Sequence, residues 1–456
     1  MRSTWRPKGR GLHNIMHETS QTNRRELLAQ TALQAAGLAT GLSSSSVLAG
    51  QPSATKPGSR PRVAAIFTEF RFRSHAFNFL ENFLRPYLFC GKLVDPGVDV
   101  VSFYADQFPD GDMAREVSRR FQIPLFASID EALCLGGKEL AVDAVLSIVE
   151  HGEYPTNDRG QKMYPRKEFF DAAVAVMRRS RRFVPFFNDK HLAYRWDWAE
   201  EMYCTARQCG IPLMAGSSVP LAERRPPLKI PAGAKLEEAV SIHGGGVESY
   251  DFHGLEVLQS VIESRSGGET GIACIEFLEG DALWRAADQG RWSRELADAA
   301  MAAELGIAPR EQPPKASHGL LITYNDGLRA TVLKVGSSSN RWNFACRLRG
   351  ERNIHAVRFL NGPWGNRNLF KALSHAVQSL IINRRSPYPV ERTLLVTGAL
   401  DAAMTSRELG GAAVSTPQLQ FCYHPTDFRS FRENGESWKV ITSETPEKKT
   451  FEPGDS

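Results

Sequence analysis

Apolar residues in this chain fall into short runs separated by helix-length stretches with a three-to-four-residue period. The runs at 62–67, 98–104, 124–126, 142–149, 183–187 and 211–215 predict β-strands. The intervening stretches 74–88, 112–121, 128–135, 167–178 and 194–208 predict helices, the last one stopped by Gly210. Strands and helices alternating at this spacing make a parallel sheet with helices on both faces. Residues 62–220 therefore read as a doubly wound α/β domain. The pattern changes at Pro226-Pro227. Strand-like runs then succeed one another at 239–243, 273–278, 319–324, 328–335, 343–349 and 355–360, with helices expected near 254–263, 369–382 and 391–407. This second region, 221–425, reads as an α+β domain with an antiparallel sheet. Residues 426–456 form a C-terminal tail, expected to be disordered after Ile441, where the sequence is polar and aperiodic.

With 456 residues and 42% apolar composition, the chain can fill two packed cores. Its formal charge of +5 is concentrated at one end. Residues 1–49 hold six Lys/Arg and two Glu, a net +4, which leaves +1 for everything else. No basic face for nucleic acid is implied. The seven cysteines contain no Cys-x-x-Cys pair and do not suggest a disulfide framework. Arg24-Arg25, a weakly apolar run and Val47-Leu48-Ala49 read as a twin-arginine export signal over 1–49, followed by a Pro-rich linker at 50–61. The apolar run is interrupted by Gln30, Gln34 and Ser43 to Ser46, so it is a poor membrane span and none is expected in the mature form.

Candidate chemistry gathers at the predicted strand ends, where open α/β sheets bind ligands. Asp189-Lys190-His191 follows one strand, and Glu150-His151-Gly152-Glu153-Tyr154 follows another. His151, Glu153, Asp189, His191 and His253 are chemically adequate for a divalent cation, although their spacing matches no metal motif. The alternative is a polar sugar-binding rim, with Tyr154, Tyr164, Trp196 and Trp198 as stacking surfaces.

The layout from 62 to about 415 resembles the Gfo/Idh/MocA family, the glucose–fructose oxidoreductase and inositol dehydrogenase group. The resemblance rests on Val100 to Asp110, on Ile129 to Leu133 followed by Val142 to Val145, on Asp189-Lys190-His191 in place of Glu-Lys-Pro, on Leu213 to Gly216, and on Gly244 to Glu256. It implies a Rossmann-like domain followed by an open-sheet domain that makes a homo-oligomer contact. It implies NAD or NADP as cofactor and a sugar or cyclitol as substrate. Asp106 would hold a ribose hydroxyl; Lys190 and His253 would be catalytic, with Asp189 and Asp251 beside them; Glu256, Tyr154 and Trp196 would face substrate. No resident metal is implied. One departure is large. The glycine-rich turn of a dinucleotide site is replaced by Phe67-Thr68-Glu69-Phe70-Arg71-Phe72. Cofactor contacts are therefore expected from Thr68, Arg71, Glu150 and His151. A non-redox carbohydrate-binding or scaffold protein, or a metal-dependent sugar-processing enzyme, is the alternative on the same fold.

Overall fold

The computed structural model describes residues 59–453 except 229, 232, 307–314 and 451. The segment expected to be an export signal, and most of the expected linker, lie outside the described residues. Sixteen strands and ten helices are described, numbered here in chain order.

The first layer contains β1 (Arg62–Phe67), α1 (His75–Phe83), the hairpin β2 (Tyr87–Phe89) and β3 (Lys92–Val94), β4 (Asp99–Ala105), α2 (Ala114–Phe121), β5 (Leu125–Phe126), α3 (Ile129–Cys134), β6 (Ala144–Ile148), α4 (Arg166–Arg179), β7 (Phe186–Asp189), α5 (Trp196–Cys209) and β8 (Leu213–Gly216). The parallel sheet has the order β5-β4-β1-β6-β7-β8. This is the doubly wound order 3-2-1-4-5-6, with its switch point between β1 and β6. Both faces of the sheet are apolar and covered by helices, as the unbroken apolar runs require. The expected first helix is shorter than its apolar pattern. Pro86 forbids its continuation, and Cys90 and Gly91, both at positive φ, turn the chain into the hairpin.

The second layer contains β9 (Glu223–Arg225), β10 (Leu236–His243), α6 (Asp251–Ile262), β11 (Ile272–Glu279), α7 (Gly280–Asp288), α8 (Arg294–Leu305), β12 (Ala316–Tyr324), β13 (Arg329–Val335), β14 (Trp342–Leu348), β15 (Ile354–Leu360), α9 (Asn366–Asn383), α10 (Glu391–Glu408) and β16 (Val414–Ser415). Its eight strands run β16-β11-β12-β13-β10-β14-β15-β9. The sheet is mixed rather than wholly antiparallel, because β10 and β13 pair in parallel. Helices α6 and α10 cover one face. The opposite face is covered by α7, α8 and their connection, where Leu283, Leu296, Ala300 and the connecting Trp292 pack on Val240, Ile242, Leu333 and Ala345. The bare apolar sheet expected for a subunit contact is therefore not found among the described residues. Helix α9 falls late in sequence but packs on α1, with Phe370, Leu373 and Val377 completing the first core.

The C-terminal segment is a second correction. Residues 442–450 are docked by polar contacts that no apolar periodicity announces. Trp364 Nε1 donates to Thr445 O at 3.1 Å, Arg367 Nη1 donates to Lys448 O at 2.7 Å, and Glu447 is gripped by Arg73 and Arg367.

Candidate functional site

The dinucleotide half of the switch point is closed by this chain's own side chains. Thr68 directly follows β1, and its Oγ1 donates to Glu150 O at 2.7 Å. Phe67 and Phe70 are fully buried and meet edge to face at 5.7 Å. Glu69 is buried and neutralises Arg71, with 2.8 Å from Arg71 Nε to its Oε1. At the start of α1 the first-turn N–H of Phe77 is taken by Ser74 Oγ at 3.2 Å. That removes a donor a pyrophosphate would use. Both oxygens of Asp106 are occupied: Tyr104 donates to Oδ1 at 2.9 Å and Tyr154 to Oδ2 at 2.5 Å. Gln107 clamps the segment that carries Tyr154, donating to Glu153 O at 3.0 Å and accepting from Glu153 N at 2.9 Å. Side chains stand where the glycine turn would admit a pyrophosphate, and tyrosines stand where a ribose would be held. These residues do not fit NAD or NADP in its usual pose.

The other half is a buried charge network. Glu150 lies just beyond β6 and Lys190 just beyond β7, so neighbouring parallel strands deliver them to the same place. Lys190 Nζ is 3.1 Å from Glu150 Oε1, and Arg166 Nη2 is 2.5 Å from Oε2. Burial by itself would raise the Glu150 pKa. The opposing charges of Lys190 and Arg166, then His75 and His151, hold it well below the ordinary carboxylate range. Arg166 also contacts His191 Nε2 at 3.1 Å and lies 4.9 Å over the Tyr164 ring. Burial, reinforced by Arg166, keeps His191 neutral. Its Nε2 therefore accepts from Arg166, which leaves Nδ1 as the protonated nitrogen. That atom has no hydrogen-bond partner.

Beside this network is a cavity of about 220 Å³, walled by Glu150, Tyr164, Lys190, His191, Glu248 and Ser249. Glu248 comes from the turn before α6. Its Oε1 makes no hydrogen bond, and burial, with Glu150 and Asp251 adding to it, pushes its pKa up to about 7. The cavity thus offers a cation and a carboxyl able to carry a proton at neutral pH.

The remaining expected residues are distributed around this centre. Asp189 points away from the cavity and binds His75 Nδ1 at 2.6 Å. His151 packs edge-on against His75 at 5.1 Å, and burial, followed by His75, lowers its pKa to about 4. His253 Nδ1 contacts Ser217 Oγ at 2.6 Å; burial, then Lys190 and His75, keep its ring neutral. Asp251, expected beside the catalytic pair, and Glu256, expected to face substrate, are engaged elsewhere. Glu256 accepts from Thr393 Oγ1 at 2.7 Å. Asp251 Oδ1 is shared by His243 Nε2 at 2.9 Å and His318 Nε2 at 2.8 Å, while its Oδ2 accepts from Glu248 N at 2.8 Å. Trp196 is a packing residue at the joint of α5 and α10. It stacks on Phe421, and a Cβ at Gly398 would come within 2.6 Å of its ring.

The cation site considered for His151, Glu153, Asp189, His191 and His253 does not assemble. Among the described residues, the group close enough to share one ion is His243, Asp251 and His318. Hydrogen bonds already account for that cluster. Sequence reasoning missed Arg166, Glu248, Ser217 and His75 as members of the network. Arg166 and His75 are helix-start residues with no local signature. Glu248 stood within the segment 244–256 that carried the resemblance.

No protein-family model matches the chain, and no curated protein matches it. Solved structures do. GenD2 from gentamicin A biosynthesis, solved in complex with NAD, superposes at a TM-score of 0.51 with 12% identity, covering 80% of this chain and 98% of that one. The scyllo-inositol dehydrogenase of Lactobacillus casei, solved with NAD(H) and scyllo-inositol, superposes at 0.48 with 10% identity, covering 78% and 99%. Identity this low speaks for architecture alone. The strand order and the superposition on GenD2 together give this chain a Rossmann-like dehydrogenase fold with a second, mixed-sheet layer.

Proposed function

We propose that this protein binds a sugar or cyclitol in the cavity beside Lys190 and acts on it by proton transfer, without the usual dinucleotide pose. The carrying observation is a small, polar cavity that sets Lys190 opposite Glu248, whose Oε1 lies 3.5 Å from His191 Nε2. A polyhydroxylated ring offers hydroxyls to both the cationic and the carboxyl wall. The volume is below the usual range for drug-sized ligands, which suits a single ring. In this reading Lys190 holds a ligand hydroxyl and Glu248 gives or takes its proton, because its pKa of about 7 matches neutral pH. Arg166 and Glu150 are positioning residues that hold Lys190.

A second reading is favoured by the strand order and by the likeness to an NAD-bound structure. It makes the protein an NAD- or NADP-dependent oxidoreductase acting on the same class of ligand. Titration calorimetry on the mature chain separates the two. Myo-inositol, scyllo-inositol and glucose form the ligand panel, with NAD and NADP titrated alone. Binding of one polyol, weakened at least tenfold by Lys190→Met, is expected, with no heat from either nucleotide. Absence of binding by every polyol would refute the cavity assignment. Dinucleotide binding that weakens in Asp106→Ala would transfer the case to the second reading.

Export is proposed on Arg24-Arg25 and Ala49, which lie outside the described residues. The mature chain should begin near Gly50. Lysine at both arginine positions should retain the precursor in the cytoplasm, as read by fractionation and N-terminal sequencing. Unimpaired export of the double variant would exclude the twin-arginine route.

A further inference from the structure

The largest of the described cavities is far from the strand ends. It measures about 620 Å³ and lies between the edge strand β9, the last turn of α6 and the segment 425–432. Leu228, Ile230, Val261 and Phe428 give it apolar walls, and Arg224 and Arg432 reach it as cations. A second lobe of about 310 Å³ opens beside it and shares both arginines.

The two lobes are lined by four arginines and four carboxylates, but the hydrogen bonds are unevenly shared. Arg224 Nε and Nη2 are buried with no hydrogen-bond partner, and its guanidinium rests 4.9 Å over the Phe359 ring. Arg432 is half-buried and its side chain makes neither a hydrogen bond nor an ion pair. Burial, with the repulsion of Arg432 and Arg392, drives the Arg224 pKa down. Nearby carboxylates are already committed. Glu263 takes two contacts from Arg392 and one from Tyr423. Asp427 pairs with Arg429, and Glu223 pairs with Arg225 through Oε1, leaving its Oε2 buried without a hydrogen bond. Glu433 accepts from Ser437 and from the backbone of Cys90, Asn434 and Gly435. Arg224 is the costlier of the two, because its Nε and Nη2 are closed to water and unbonded, while Arg432 keeps part of its hydration. Guanidinium forks match the oxygens of a phosphate in bidentate fashion. Two guanidinium groups without hydrogen bonds call for an anion rich in acceptor oxygens, and the apolar walls call for a ligand with a non-polar body.

We infer that this cavity binds a phosphate monoester with an apolar body, its phosphate held between Arg224 and Arg432. The inference is independent of the Lys190 cavity. Phenyl phosphate is the probe, followed by titration calorimetry and thermal shift on the mature chain, with benzoate and inorganic phosphate as comparison arms. Phenyl phosphate should bind and raise Tm. Its affinity should fall at least tenfold in Arg432→Gln and in Arg224→Gln, and stay within twofold in Arg429→Gln, whose guanidinium is held by Asp427. Both comparison ligands should bind at least tenfold more weakly. Arg432→Gln changes a half-exposed side chain and keeps the test alive should Arg224→Gln fail to fold. The inference is overturned by no binding of phenyl phosphate at millimolar concentration. It is equally overturned by unchanged affinity in Arg432→Gln, by loss of binding in Lys190→Met, or by benzoate binding as tightly as phenyl phosphate.

Discussion

Glu150→Gln should lower the free energy of unfolding by about 3–5 kcal/mol, the range for breaking a buried ion pair from one side. Glutamine keeps the shape and removes the charge. It would leave Lys190 and Arg166, 6% and 0% exposed, as uncompensated cations 3.1 and 2.5 Å from a neutral amide. Lys190→Met is the informative contrast, because Glu150 keeps Arg166. That variant should lose about 1–3 kcal/mol, the value of a charged hydrogen bond, while losing polyol binding. Urea unfolding of the two variants against the parent measures both numbers. A Glu150→Gln loss under 1 kcal/mol would mean that water enters the network and that the site is not the buried charge centre described above.

The second large effect is on pH dependence. Glu256 is 1% exposed, and burial raises its pKa from 4.5 to about 7; Glu263 adds to the rise, while Arg392 and the Thr393 hydroxyl oppose it. An elevated carboxyl behaves oppositely to a salt-bridged one. Between pH 4.5 and 7 the folded state holds a proton that the unfolded state has released. Stability therefore falls as pH rises through that window, by about 3 kcal/mol for this group at 1.36 kcal/mol per unit. Below pH 4.5 both states are protonated and the group contributes nothing. Glu256→Gln retains an acceptor for Thr393 and cannot ionise. Relative to the parent it should gain about 3 kcal/mol between pH 5 and pH 8. Glu248, also near 7, persists in both proteins and cancels in the comparison. Parallel stability profiles would show that Glu256 is ionised throughout, with Arg392 outweighing its burial.

Much of the first layer was legible before any coordinates. The runs at 62–67 and 142–149 are apolar on both faces, which only a sheet covered on both sides tolerates, and they became β1 and β6 at its centre. Gly210, at φ 67°, ends α5 where the sequence places the stop. The hairpin at 87–94 was hidden because Phe77, Phe79, Leu80 and Phe83 set a helical period that the following apolar residues continue. Pro86 and Gly91 were the available signals. Helices α7 and α8 were overlooked although Ser293 caps an alanine-rich run, with its Oγ accepting from Leu296 N at 3.2 Å. These two helices cover the sheet face that the family resemblance implied would be open.

The site divides along a different line. The order of elements places Lys190 at a strand end, since strand–helix alternation dictates a parallel sheet and a parallel sheet puts its loops at one edge. The missing glycines were also plain in the sequence, because a side chain at such a turn excludes close approach by a phosphate. Partnerships lay beyond it. Glu150 with Arg166, His75 with Asp189, Asp106 with Tyr154 and Asp251 with His318 join residues 16, 114, 48 and 67 positions apart. A carboxylate reads the same in sequence whether it faces a ribose, a tyrosine or two histidines. Only tertiary packing brings the competing donor within 3 Å. Sequence alone thus determined the fold class and the edge of the sheet where the chemistry gathers. The tertiary structure decided which of those charged groups are already spent on one another and which still face a cavity.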